Sequence, residues 1–191
     1  MDYIIVDTET IPCDKEQYLG VENDSERKKL LNPIDSKVAA IGLKHGAKTT
    51  ILMDESEKTM LEAFWQEISA FKKLHKNFKI VGFNLKNFDL PFLVTRSFVN
   101  NVAIEPFTLK ETIDLREKLS AYKYGNVRGT LKEFAAFLGF HEYEMDGSMV
   151  AEEFWAGNHA KIKTYLEHDL IVTEKIYLRT KELRIDEIER W

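Results

Sequence analysis

The chain has 191 residues, 44% of them hydrophobic, and its 32 Asp and Glu outnumber 27 Lys and Arg for a net charge of −5. That length and apolar share suit one compact α/β domain over residues 1–191, with no Pro-, Gly- or Ser-rich linker to divide it. The lone Cys13 excludes an intramolecular disulfide framework, and one Cys with scattered His45, His75, His141, His159 and His168 assembles no zinc cluster.

The first apolar run, Tyr3-Ile4-Ile5-Val6, reads as a strand over 3–8 that leads into Asp7-Thr8-Glu9. Strand alternation places Asp7 and Glu9 on one face. Two acids beside a buried strand require a partner or a cation, although a strand end running into solvent explains this segment alone equally well. With a strand beginning at residue 3 there is no room for a signal peptide, and no apolar run is long enough for a bilayer, so a cytoplasmic protein with no membrane partner is expected. Residues 14–35 are highly charged and irregular, which favours a solvated surface excursion over a lid. Strands at 37–44 and 48–53 read as a hairpin around His45-Gly46-Ala47. Residues 56–76 form an amphipathic helix whose stripe of Met60, Leu61, Phe64, Trp65, Ile68 and Phe71 is core.

A strand at 79–83 enters a polar turn and a helix start. With Asn87 as N-cap, Asp89 lies in the first turn, where a carboxylate suits the exposed amides and the helix dipole, and Pro91 is tolerated so early. Beyond residue 87 the chain is mostly helical, with Ile113-Asp114-Leu115 as an edge strand and a helix over 130–138 that Gly139 can end. Tyr122-Lys123-Tyr124-Gly125-Asn126-Val127-Arg128-Gly129 mixes aromatics, bases and glycines. Such a loop serves either as a plain surface turn or as a single-strand contact, Tyr122 stacking on bases while Lys123 and Arg128 meet phosphates. The last element is a helix from Asn158 to about Leu183, with Ile162, Leu166, Val172 and Ile176 as its apolar stripe. Tyr165 and Asp169, four apart, fall on or beside that stripe, where a boundary tyrosine and a rim carboxylate would be the ordinary account.

In order along the chain, Asp7-x-Glu9, Asn84-x-x-x-Phe88-Asp89-x-Pro91 and Tyr165-x-x-x-Asp169 resemble the three motifs of the DEDD-type 3′–5′ exonucleases, and in particular those of the proofreading exonuclease domain of family-B DNA polymerases. The resemblance runs from Val6 to about Tyr177. The tyrosine marks the subtype, because the histidine of the other subtype would stand at Thr164, whereas His168 points about 100° away from Asp169 around the helix.

The resemblance implies a ribonuclease-H-like fold, a mixed sheet with helices on both faces. It also implies two ions of Mg²⁺ or Mn²⁺, roughly 3.5–4 Å apart, in a cage of carboxylates. Asp7 would bridge both ions, Glu9 and Asp169 would complete one site, Asp89 would hold the other, and Tyr165 would orient the nucleophile. The implied substrate is the 3′ end of single-stranded DNA, with Asn84 and Phe92 beside the terminal nucleotide, although Phe92 also reads as core. An exoribonuclease on the same scaffold is the alternative enzyme. The acidic balance keeps open an inactive domain that binds nucleic acid or a partner protein, since phosphate affinity usually rests on Lys and Arg. The chain stops soon after the third motif with no polymerase portion, so action alone, service to a polymerase in trans and excision from a longer protein all fit.

Overall fold

The computed structural model describes residues 2–123, 125, 129–140 and 145–189, the side chain of Asp24 apart. Its framework is a five-stranded mixed sheet ordered β3-β2-β1-β4-β5, built from β1 (Asp2–Pro12), β2 (Ser36–His45), β3 (Lys48–Leu52), β4 (Phe78–Gly82) and β5 (Thr112–Asp114). The three strands on one side form an antiparallel meander, whereas β4 and β5 run parallel to β1. The hairpin turns through Gly46 at φ 55°, a left-handed value that glycine adopts at no steric cost. The antiparallel start and mixed sheet match the expectation, and β5 is the edge strand anticipated at 113–115.

Strand alternation decides what each face of β1 meets. Ile4 and Val6 join one core with α3 (Glu57–Leu74) and α4 (Asp89–Val99). Ile5 and Ile11 point the other way, into two clusters shared with α8 (His159–Glu182). Helices therefore cover both faces. The α3 stripe of Met60, Leu61, Phe64, Trp65, Ile68 and Phe71 is buried as its periodicity predicts. At about 1.5–3 kcal/mol for each large apolar side chain taken from water, this stripe is a main tie between helix and sheet.

Two glycines set the closeness of packing on which the site depends. A Cβ on Gly42 would stand 2.7 Å from Leu170 Cδ1 and 3.0 Å from Leu166 Cγ, so α8 lies directly against β2 there. Gly42 is paired with Asp7 across the ladder. A Cβ on Gly82 would stand 2.8 Å from the Val6 carbonyl oxygen, at the end of β4 next to β1.

Two expectations need correction. Residues 14–35 are not irregular: they hold α1 (Lys15–Gly20) and α2 (Asp24–Leu30), each started by a side-chain cap, Asp14 to the Gln17 amide and Asn23 to the Ser25 amide. Tyr18 is buried and packs edge-on against Trp155 of α7 (Val150–Trp155), and the Arg27 guanidinium lies over the Tyr18 ring, so the excursion is anchored. Asn87 is not the cap of α4. The helix begins one residue later, with Phe88 as an N-cap that offers no side-chain bond, because the Asn87 and Phe88 amides both turn back to the Asn84 carbonyl. Two later helices fall where the pattern puts them: α6 (Leu131–Phe137) ends before Gly139 at φ 68°, and α8 starts after Asn158; α5 (Leu115–Leu119) follows β5 and takes Leu115 out of the expected strand. Among the described residues no helix is long and apolar enough to cross a membrane.

Candidate active site

The pleat that sorts the core also sorts the acids. Asp7 and Glu9 follow Ile5 on the face covered by α8, where one turn of that helix presents Tyr165 and Asp169. One carboxylate oxygen each from Asp7, Glu9 and Asp169 lie within 4.8 Å of one another. Thr8 points to the opposite face, and its hydroxyl donates a 2.7 Å hydrogen bond to Asp89 Oδ1 at the start of α4. Asp89 is 2% exposed. The four acids thus come from two faces of one strand end, three in a tight cluster and the fourth tied to the residue between the first two. The β1–β2 register shifts immediately after the site, from Glu9 opposite Ala40 to Thr10 opposite Val38, leaving Ala39 of β2 as the extra, bulged residue.

Electrostatically the site is frustrated. Burial pushes the Asp7 carboxyl well above its ordinary range, and the charges of Asp89, Asp169 and Glu9 push it further; the 3.1 Å bond from the Thr8 amide relieves only part of this. Glu9 is raised in the same way, by burial and then by Asp169, Asp89 and Asp146. Burial lifts Asp89 to about 7 even though the Thr8 hydroxyl stabilises its charged form. Asp169 is raised by burial, with the Tyr165 hydroxyl and His168 pulling it back. Tyr165 is raised far beyond the physiological range by burial and by Glu9 and Asp169, so its phenol stays protonated and acts as a donor. Crowded carboxylates with their affinity for protons raised are the arrangement a cation relieves.

Tyr165 and Asp169 line a cavity of about 250 Å³ with Lys132, Asp146, Gly147 and His168. Three of these were not legible in the sequence. His168 does not turn away: its Nδ1 lies 3.5 Å from Asp169 Oδ1, because a rotation of about 100° between adjacent residues still leaves long side chains touching at a helix edge. Asp146, whose charge acts on Glu9 and Asp169, precedes α7 in a stretch with no periodicity to read. Lys132 stands in the first turn of α6, where nothing in the sequence sets it apart from other helix lysines.

The residues predicted to touch substrate divide three ways. Of its two expected places Phe92 takes the core: at 2% exposure it packs with α3, its ring centroid 4.9 Å from that of Phe88. Asn84 is half-buried in the turn that ends at Asp89, held at φ 61° with its side-chain oxygen 3.3 Å from Arg116 Nη1. Tyr122 is half-buried and carries the ammonium groups of Lys86 and Lys118, 5.9 and 5.5 Å from its ring centroid, while Lys123 is exposed beside it. Arg128 lies outside the described residues, as do Tyr124, Asn126 and Val127.

Comparison with known proteins adds three findings. Residues 36–189 match the family described as predicted 3′-5′ exonucleases related to the exonuclease domain of PolB, a span that includes Asp89, Tyr165 and Asp169 but begins after Asp7 and Glu9. An uncharacterized protein of Methanocaldococcus jannaschii, MJ0365, is 34% identical over 158 residues, covering 77% of this chain and 87% of the relative. The family B DNA polymerase of the hyperthermophilic archaeon Pyrobaculum calidifontis superimposes with a TM-score of 0.70 at 16% identity over 97% of this chain. The match covers 25% of the polymerase, and at that identity it shows the fold, which is the ribonuclease-H-like arrangement of such exonuclease domains.

Proposed function

Since the chain belongs to the family of predicted 3′-5′ exonucleases related to the exonuclease domain of PolB, we propose that it removes nucleotides from the 3′ end of single-stranded DNA, with Asp7, Glu9, Asp89 and Asp169 holding divalent metal and Tyr165 positioning the nucleophile. The observation that carries this reading is the clustering of Asp7, Glu9 and Asp169 oxygens within 4.8 Å, with Asp89 reaching the same strand end through Thr8.

The residues fit a hard cation. All four offer oxygen, the donor that Mg²⁺ and Mn²⁺ prefer, and burial, with the neighbouring carboxylates added for Asp7 and Glu9, raises their affinity for protons. When bound, such ions supply charge neutralisation at phosphorus and an acidified water. The chain's own residues do the rest. Tyr165 keeps its proton and donates it in a hydrogen bond, so it orients and does not act as a base. Thr8 holds Asp89 in one rotamer through its hydroxyl. Lys132, on the wall of the cavity beside Tyr165 and Asp169, offers a positive charge to a phosphate entering there. The excess of acids over bases then reflects in part the cage itself, and binding to DNA is modest and brief.

The experiment is digestion of a 5′-labelled single-stranded oligonucleotide with Mg²⁺ or Mn²⁺. One-nucleotide shortening that a chelator stops and a bulky 3′ block prevents is the expected result. Internal cuts in a circular single strand at a similar rate would overturn the exonuclease reading, and faster digestion of the matched RNA would reassign the substrate.

A further inference from the structure

Asp89 reaches its place at the end of a five-residue turn, 84–88, which is held both by its own bonds to the Asn84 carbonyl and by the end of the neighbouring strand. Asp114, the last residue of β5, is 1% exposed and stands level with Gly82 in the ladder. Its Oδ1 accepts the amides of Asn84 at 3.0 Å, Arg116 at 3.0 Å and Glu117 at 3.4 Å, and its Oδ2 accepts the amide of Lys86 at 2.9 Å. Two side-chain contacts close the same seam, Arg116 Nη1 to Asn84 Oδ1 at 3.3 Å and Lys86 Nζ to Glu117 Oε2 at 2.7 Å. Asn84 sits in the left-handed region at φ 61°, a conformation that asparagine tolerates better than most side chains.

Capping α5 accounts for only half of these bonds. A Ser, Thr or Asn would cap that helix as well without a buried negative charge next to Asp89, whose carboxyl Asp114 raises. The bonds left over all go to the turn. We propose that Asp114 is a positioning residue of the site: it clamps turn 84–88 to the start of α5 and thereby fixes where Asp89 and Asn84 face the strand end. The proposal rests on the nuclease reading for its consequence, not for its geometry.

Asp114→Ser separates the two roles, since a serine hydroxyl still caps α5 but cannot span to the Asn84 and Lys86 amides. The expected result is a variant with wild-type helix content in which hydrogen exchange at the Asn84 and Lys86 amides accelerates while the α5 amides stay protected. Its Mn²⁺ dissociation constant, read by calorimetry, rises about tenfold, the usual order for losing a group that orients a ligand. Ser97→Ala, which removes the acceptor of the Trp65 indole far from the site, is the control. It should lower the melting temperature and leave Mn²⁺ affinity unchanged. Should Asp114→Ser not fold, Arg116→Ala removes the second tie on Asn84 and should shift exchange and Mn²⁺ affinity in the same direction, by less. Unchanged exchange in the turn, or unchanged Mn²⁺ affinity, overturns the proposal. A wild type that binds Mn²⁺ but cuts no DNA overturns the nuclease reading instead, and the clamp is then judged on exchange and Mn²⁺ alone.

Discussion

Two groups of polar residues among the described residues, one half-buried at the start of α3 and one at the strand end, are built on opposite terms. At the start of α3, Glu57 receives Arg96 through two bonds of 2.9 and 2.7 Å, the Val38 amide at 2.8 Å and the Asn100 amide at 2.8 Å. Burial alone would raise its carboxyl, but these donors outweigh burial and hold it below its ordinary range. At the strand end, Asp7 and Glu9 are raised by burial and raised again by other carboxylates. The same chemical group is satisfied in one place and frustrated in the other. A crowded, buried set of carboxylates of this kind marks a candidate functional site, whereas the satisfied one ties elements of the fold together.

Removing one acid from each group should therefore give opposite results. Asp7→Ala is expected to abolish hydrolysis, with apo stability kept or raised because repulsion is relieved. Glu57→Ala is expected to leave hydrolysis per folded molecule unchanged and to cost about 1–3 kcal/mol, since it removes the carboxylate partner of a half-buried Arg96. Oligonucleotide digestion beside chemical denaturation reads both. Turnover by Asp7→Ala above contamination would break the contrast.

Tyr165→Phe sharpens it within the site. The phenol is a fixed donor, so its loss should slow the chemical step by ~10²-fold while Mn²⁺ affinity holds, a split read by single-turnover kinetics and calorimetry. Wild-type rates would make the tyrosine structural.

The pH dependence of stability distinguishes the groups by sign. Asp89, lifted to about 7, and Asp7 and Glu9, raised with it, hold protons in the folded state that the unfolded chain releases in the ordinary carboxylate range. Each contribution is complete below that range; that of Asp89 is lost as pH rises through about 7, and those of Asp7 and Glu9 are lost as pH rises through their own raised values. Glu57 behaves the other way: its contribution is present above the ordinary range and is lost as pH falls through its lowered value. In chelator, the melting temperature of the wild type should fall between pH 5 and 8 by more than that of Asp89→Asn, as read by thermal unfolding. Equal slopes would place the protons elsewhere.

The smallest expected effect is on packing. Gly42→Val should cost about 1–3 kcal/mol by forcing Leu170 and Leu166 off β2, and it should also lower activity, because α8 carries Asp169 against Asp7. Denaturant unfolding and turnover check the two halves.

What the sequence disclosed follows from where periodicity is strong. The α3 and α8 stripes, the β2–β3 hairpin and the odd-residue placement of Asp7 and Glu9 were readable because burial repeats at 3.6 or 2 residues. The same alternation predicts the partner of Thr8 only once it is known that α4 lies on the even face, and nothing in the sequence states that. Of the two readings of Phe92, substrate contact and core, its burial favours the core, because nearness in sequence to Asp89 says nothing about direction: the two lie almost a turn apart on α4, yet one reaches the site and the other the core. The Asp114 clamp was hidden because its acid looked like an ordinary edge-strand residue, and its four amides come from two segments about thirty residues apart.

The central claim is that the strand-end acids are completed by divalent cations. It is tested most directly by a crystal soaked in Mn²⁺ and measured at the manganese absorption edge. The account predicts anomalous peaks against the carboxylates of Asp7, Glu9 and Asp169, with a second ion on the Asp89 side, and none at Glu57. A fully soaked crystal with no peak at Asp7 would contradict it.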